Sequence, residues 1–330
     1  MDAPYSSLEF SLLNDWQRGF PLQSQPFAAL GAKVDAEETV VIATLQRLQR
    51  RGAISRLGAV FAPRRAGAGT LAALAAPAER LEEIAARVSA RPEVNHNYQR
   101  EHHWNLWFVV TARDRLALAN TLAAIEAETG CPVLSMTLRH EFHIDLGFDL
   151  SAQSRQLHRD PEPHRGPASP ATRSAEELRL LAALEDGLAL LPRPYHELGA
   201  RCGLAEATVL DYLAAWQTEG LIKRFGIVVR HHEMGYRANA MVVFDLPDES
   251  IDAVGAQLAR EPAVTLCYRR ERCLPHWSNN LYCMVHGRSR DEVEPVVARL
   301  AAAAGVTPEV LFSVRRFKQC GARYFAGAGQ

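Results

Sequence analysis

Hydrophobic positions recur at helical spacing over about 8–18, 26–33 and 36–51, with Val40, Val41, Leu45 and Leu48 marking the stripe a third helix would bury. Asp35, followed by Glu38 three residues later, is placed to cap that helix, and Gly52 to stop it. The period then changes. ISRLGAVF alternates apolar and small or polar positions and predicts a strand. Beyond it the pattern predicts a strand near 70–75, a helix at 78–90, strands at 94–100 and 105–111, a helix at 112–129 and a strand at 133–139. Three short helices and a strand read as a winged helix-turn-helix, and the β-α-β-β-α-β order behind them reads as a ferredoxin-like sandwich.

The whole arrangement is written twice. At an offset of 168 residues, Leu30-Gly31-Ala32 meets Leu198-Gly199-Ala200, and Glu38, Val41 and Leu45 meet Glu206, Val209 and Leu213. Gly52, Ile54, Arg56, Gly58 and Val60 reappear as Gly220, Ile222, Arg224, Gly226 and Val228. Farther on the offset drifts: Tyr98, Arg100 and Glu101 meet Tyr268, Arg270 and Glu271, and Asn105-Leu106 meets Asn280-Leu281, so the second copy carries a longer loop. Strands are accordingly expected near 239–245, 264–270, 280–286 and 310–317. Between the copies, residues 151–174 are rich in Pro, Ser and charge without apolar period, and read as a linker. The expected organisation is a helix-turn-helix-like domain at 1–61, a ferredoxin-like domain at 62–150, the linker, and the same pair at 175–229 and 230–330. This is an α+β chain built as an intramolecular pseudo-dimer.

Composition narrows the function classes. The 330 residues are 48% hydrophobic and 23% charged, enough for real cores. No apolar run approaches the roughly 18 residues of a membrane span, and the N-terminus carries no secretory pattern. The six cysteines form no C-x-x-C pair, so zinc-ribbon and iron–sulfur readings lack their signature and a cytoplasmic location with reduced thiols is expected. Helix-turn-helix plus ferredoxin-like domain resembles the Lrp/AsnC transcription regulators. Yet Lys and Arg total 37 against 38 Asp and Glu, where a nucleic-acid binder carries a basic excess. Arg47, Arg50, Arg51 and Arg56 surround the first recognition-helix position; the second carries Asp211 and Glu219, with only Lys223 and Arg224 after it. A palindrome reader needs two equivalent basic helices. The helical parts are therefore expected to serve as scaffold, without nucleic acid as a partner.

The chemistry-bearing residues sit on the sheet segments. VNHNYQREHHWNLWF holds four histidines or arginines with four aromatics on or beside two strands, and alternation puts His96, Tyr98 and Arg100 on one face with His102 toward the turn. The second copy offers Tyr268, Arg270, His276, Asn280 and, on the last strand, Arg315, Arg316 and Lys318; His143 stands near the end of the first copy. Trp107 and Tyr282 also suit plain sheet packing, His286 a satisfied core histidine, and the histidines lack the helical spacing of a zinc site. Cations interleaved with aromatics fit a large, flat polyanion: rings stack on its faces and guanidiniums take its carboxylates.

HNYxREHxxNLWFV resembles the NirD/AhbA side of the siroheme decarboxylases; CYRR, HWSNNLYCMVHG and LFSVRRFKQCGARYF resemble the NirL/AhbB side, in the order of the fused NirDL form. The resemblance implies loss of CO2 from the acetates at C12 and C18 of siroheme, giving 12,18-didecarboxysiroheme for haem d1 synthesis. It implies siroheme as partner and substrate, bringing its own iron, with no further cofactor required. His96, His102 and His276 are the expected proton donors, with His102 or His276 alternatively an iron ligand. Arg100, Arg270, Arg315, Arg316 and Lys318 would hold anionic groups, and Tyr98, Tyr268, Trp104, Trp107, His143 and Asn280 would line the substrate. Where the first copy has His96 the second has Leu266, so the two halves cannot share identical chemistry. The alternatives are a tetrapyrrole-sensing regulator of the Lrp/AsnC kind and a haem carrier, and pseudo-dimers could associate further.

Overall fold

The computed structural model describes residues 5–144, 173–229 and 238–325. In chain order the elements are α1 (Ser7–Asp15), α2 (Pro26–Val34), α3 (Glu38–Arg50), β1 (Ile54–Phe61), the one-turn α4 (Pro63–Ala66), β2 (Ala68–Leu74), α5 (Leu81–Ala90), β3 (Val94–Arg100), β4 (Leu106–Ala112), α6 (Arg115–Thr129) and β5 (Val133–Ile144). The second copy gives α7 (Ala175–Glu185), α8 (Pro194–Cys202), α9 (Glu206–Thr218), β6 (Ile222–Val229), β7 (Ala238–Phe244), α10 (Ile251–Leu258), β8 (Val264–Arg270), β9 (Leu281–Gly287), α11 (Arg290–Ala304) and β10 (Glu309–Gln319). Of the linker only Arg173 and Ser174 fall within the described residues, and the stretch 230–237 lies outside them. Among the described residues no helix is long and apolar enough to cross a membrane.

Like associates with like. Described residues 5–67, 173–229 and 321–325 form one compact unit; 68–144 and 238–320 form the other. In the helical unit β1 pairs antiparallel with β6, Gly58 opposite Gly226. Both copies feed one core, in which Leu12, Leu13 and Leu45 cluster with Leu180, Leu181 and Leu213. The first helix of each copy begins with the same capping box: Ser6 Oγ accepts from Glu9 N while Glu9 Oε2 accepts from Ser6 N, and Ser174 and Glu177 repeat the exchange.

Two expectations are corrected here. Asp35 does not cap α3; it ends α2 in the left-handed conformation (φ 52°), and Glu37 precedes α3 without a side-chain cap. The tight return, in which Ala36 N donates to Gly31 O at 2.9 Å, competes for Asp35 and wins. It also explains the repeated Leu-Gly-Ala: a Cβ on Gly31 would sit 2.3 Å from Ala36 O, and one on Gly199 2.6 Å from Leu204 O. Val40 is 46% exposed, since it lies a helical step away from the buried row of Val41, Leu45 and Leu48.

The end of the chain closes this unit. Tyr324 and Phe325 are buried, and both their N–H groups donate to Glu185 Oε1, at 2.5 and 2.9 Å. Burial pushes the Glu185 carboxyl up, against the lowering effect of those two N–H groups and Arg323. A carboxyl raised in the folded state opposes folding once ionised, so this stability is lost as pH rises above the ordinary carboxylate range of about 4–5. Glu185→Gln keeps an acceptor without the charge. Calorimetric scans should show a higher Tm at pH 8 and a flatter pH dependence; a lower Tm there would contradict the assignment.

In the sheet unit each copy folds as β-α-β-β-α-β, but the two sheets do not stay separate. They close into one eight-stranded barrel in the order β10-β3-β4-β2-β5-β8-β9-β7. The long last strands do this by changing partners: β5 leaves β2 for β8 after Thr137, and β10 leaves β7 for β3 after Phe312. Helices α5 and α6 cover one copy's sheet over Ile84, Val88 and Ile125; α10 and α11 cover the other's over Ile251, Val293 and Leu300. A third cluster, with Trp107, Met136, Met241, Trp277, Tyr282 and Leu311, forms between the two.

Candidate active site

Several of the expected site residues brace one copy against the other. Arg100 Nη1 donates to Leu311 O at 2.9 Å, and its counterpart Arg270 Nη1 donates to Met136 O at 3.1 Å, so each guanidinium ties its copy to the other's last strand. Burial pushes the Arg100 guanidinium down to about 10 and lowers Arg270 in the same direction. In both, the buried Nε lacks a hydrogen-bond partner among the described residues, and a tyrosine ring lies alongside: Tyr98 at 5.8 Å, Tyr268 at 5.2 Å. Asn280 is committed too: its amide exchanges hydrogen bonds with Leu246 N and O at 3.0 and 2.9 Å, as Asn105 does with Ala76. It ties the ends of the neighbouring strands β7 and β9 together.

The remaining residues fall into three sets. On β3, His96 stacks on Tyr98 with ring centres 6.3 Å apart, and its Nδ1 faces Asn95 Oδ1 at 2.7 Å. Asn95 Nδ2 donates to Thr111 Oγ1, so the amide is oriented and Nδ1 of His96 is the donor in that contact. Alternation thus works as expected, despite a bulge between Val94 and His96. Of the cations on β10, Lys318 donates to Ser89 O and Arg91 O at the end of α5, and Arg315 pairs with Glu82. Both already have protein partners. Arg316, opposite Tyr98 in register, reaches the neutral Gln319 Oε1.

The second set lines a groove of about 660 Å³ bounded by Arg139, His140, Arg269, Arg270, Arg272, Asp248, Asp252 and Glu271. Its acids are largely spoken for: Asp248 by Arg269 and Arg272, Asp252 by Arg269, and Glu271 by Arg139. Among the described residues Arg270 forms no ion pair with a carboxylate. His143 stands opposite Cys267 on the same strand pair, part-buried.

The third set forms where the β3–β4 loop (101–105) meets the β8–β9 loop (271–280). His102 lies edge-on to Trp277 at 5.4 Å, and exposed His276 meets Trp104 at 6.2 Å. Trp107 Nε1 donates to Trp104 O, and Tyr282 Oη to Asn279 O; each hooks back to the carbonyl three residues earlier. Sequence reading missed Glu309 here, whose carboxylate reaches His102 Nε2 at 3.2 Å. The signal was available in the repeat: Glu309 and Leu134 occupy matching strand positions and differ in kind. Among the described residues no group of three or more His, Cys, Asp or Glu is placed to hold a metal ion.

Comparison with known proteins agrees with this architecture. An AsnC-like ligand binding domain matches residues 65–143 and 233–318. A siroheme decarboxylase NirDL-like HTH domain matches residues 9–54 and 177–223. The siroheme decarboxylase NirDL subunit of Paracoccus denitrificans is 45% identical over 319 residues, 96% of each chain. A crystal structure of the siroheme decarboxylase NirDL superposes with a TM-score of 0.73 at 25% identity, covering 97% of this chain and 96% of that one. A second, in co-complex with an iron-uroporphyrin III analogue, gives 0.72 at 25% identity, covering 98% and 95%. Near-half identity sustained from end to end, through both copies of both domains, places the chain in the siroheme decarboxylase NirDL family.

Proposed function

We propose that this chain removes CO2 from the acetate side chains at C12 and C18 of siroheme, giving 12,18-didecarboxysiroheme for haem d1 synthesis in the cytoplasm. The observation that carries the reading is the end-to-end likeness to the Paracoccus NirDL subunit. In each step the bond between the methylene and the carboxylate breaks and CO2 leaves. The electron pair is accommodated by the macrocycle, and the carbon is then protonated, leaving a methyl group. The tetrapyrrole is its own electron sink, so the protein's tasks are to hold carboxylates, exclude water and deliver one proton per step, and no organic cofactor is called for. The iron arrives with the substrate, and His276, exposed on its loop, could reach either a proton acceptor or that iron.

His96 and His276 are our proton-donor candidates. Tyr98, Tyr268, Trp104 and Trp107 shape the surroundings. Arg270 and Arg316 are the best-placed carboxylate holders, because among the described residues neither forms an ion pair with an acid. Purified protein given siroheme anaerobically should yield a product lighter by two CO2 in mass spectrometry. An unchanged tetrapyrrole mass sinks the enzyme reading and leaves a carrier.

No observation favours a regulator. Arg47 and Arg51, on the helix that would read DNA, converge on buried Glu9 at 3.3 and 3.2 Å, and burial there is offset by Ser6 and by both cations so that the carboxyl stays low. A gel-shift titration with the DNA upstream of its own gene at physiological salt should therefore show no complex. A salt-sensitive band would revive DNA binding.

A further inference from the structure

We infer that Glu309 is a positioning residue for decarboxylation: its carboxylate ties the β3–β4 loop to the β8–β9 loop and so fixes Trp104 and His276 relative to one another. The inference rests on the decarboxylase reading above. Glu309 uses both oxygens, Oε2 on His102 Nε2 at 3.2 Å and Oε1 on the amide of Asn279 at 3.1 Å. The other ring nitrogen of His102, Nδ1, accepts the backbone N–H of Trp104 at 3.0 Å. That contact leaves the proton on Nε2, the nitrogen that faces Glu309 Oε2. Both nitrogens are engaged, so in this arrangement His102 acts on the loops and through them on the site.

The contacts close a ring. Trp104 O accepts from Trp107 Nε1 at 2.6 Å, and Trp107 packs edge-on against Trp277 at 5.1 Å. Trp277 Nε1 donates to Tyr282 Oη at 2.6 Å, and Tyr282 Oη to Asn279 O at 3.2 Å, which returns to Glu309. Among the described residues the second copy of these positions does not repeat the ring. Glu309 stands opposite Val243 as Leu134 stands opposite Ala73, so the matching position is a buried leucine. The counterpart of His102 is Arg272, which turns away to Asp245, Asp248 and Leu246 O. A His–Glu pair whose carboxylate is 53% exposed adds little to stability. What it does supply is a fixed distance between two loops, and small misplacements of reacting groups are costly in rate.

Glu309→Gln keeps the size and an acceptor for Asn279 but turns an amide N–H toward the His102 N–H, opening the ring. On the full chain, kcat for CO2 loss should fall about 10–100-fold, while KM and the siroheme Kd read from absorbance titration stay within about threefold. Tm should barely move. Combined with His102→Asn, the double variant should be no slower than the slower single variant, because both break one circuit. Tryptophan emission, to which Trp104, Trp107 and Trp277 contribute three of the five indoles and which needs no turnover, should shift in both singles. An unchanged kcat in Glu309→Gln, additive losses, or a loss in siroheme binding alone would each overturn the inference. If the wild-type chain leaves siroheme intact, the decarboxylase reading fails by itself; unshifted emission in the variants would then overturn the circuit separately.

Discussion

Alanine at His276 is expected to slow CO2 loss from siroheme by about 10²–10⁴-fold, the contribution of a well-placed general acid, with siroheme affinity retained. The ring is presented from a short, well-tied turn. Cys273 N donates to Trp277 O at 2.8 Å, and Trp277 N and His276 N both return to Cys273 O, at 2.9 and 3.0 Å. A turn held by three backbone bonds keeps its geometry when one exposed side chain is shortened, so lost rate reports lost chemistry. His96→Ala should behave alike on the β3 face, where Asn95 and Tyr98 orient the ring. Single-turnover assays with mass spectrometry separate mono- from didecarboxylated product. Loss in only one variant names the competent donor; full turnover in both refutes the assignment.

Most of the fold could be read from the chain because its two levels of pattern agree. Gly52-x-Ile54 and Gly220-x-Ile222 mark where helical period gives way to alternation in both copies, and β1 and β6 begin there. What pattern could not convey was which strands pair across copies. β5 changes neighbours after Thr137 with register shifts at Leu138/His140 and Glu141/His143, and its new partner β8 belongs to the other copy, so the sequence of β5 alone does not name the strand it meets. Asp35 failed for a related reason. A capping signal and a left-handed turn both favour Asp, and the return to Gly31 O decided between them.

The site was legible in its residue types and less so in its roles. Segments around His96, His102 and His276 stood out by composition, and the structure brings His102 and His276 to neighbouring aromatic contacts with Trp277 and Trp104. Arginines and lysines, however, are read from sequence as available charge, whereas availability depends on partners distant along the chain. Lys318 spends its ammonium on the carbonyls of Ser89 and Arg91, and Arg315 meets Glu82, more than two hundred residues away. Glu309 escaped notice because its signal lies in the comparison of the copies, where it answers Leu134, and not in any spacing within its own strand.

Replacing Trp277 by alanine should cost about 3–5 kcal/mol, the range for emptying a large aromatic site in a core. In the sequence Trp277 falls in the loop between Pro275 and Asn279. It is 3% exposed and packed against Trp107, with its Nε1 on Tyr282. At about 2–4 °C per kcal/mol for a body of this size, the sheet unit should melt roughly 6–20 °C earlier. Trp277→Phe retains ring volume and loses mainly the N–H donor, so a cost nearer 1–2 kcal/mol is expected. The comparison of the two by thermal circular dichroism isolates packing from hydrogen bonding. A shift below about 2 °C in the alanine variant would mean that this end of the barrel is not held by the indole. The larger loss is expected because the cluster's other buried aromatics, Trp107 and Tyr282, are each already hooked to the carbonyl three residues behind them.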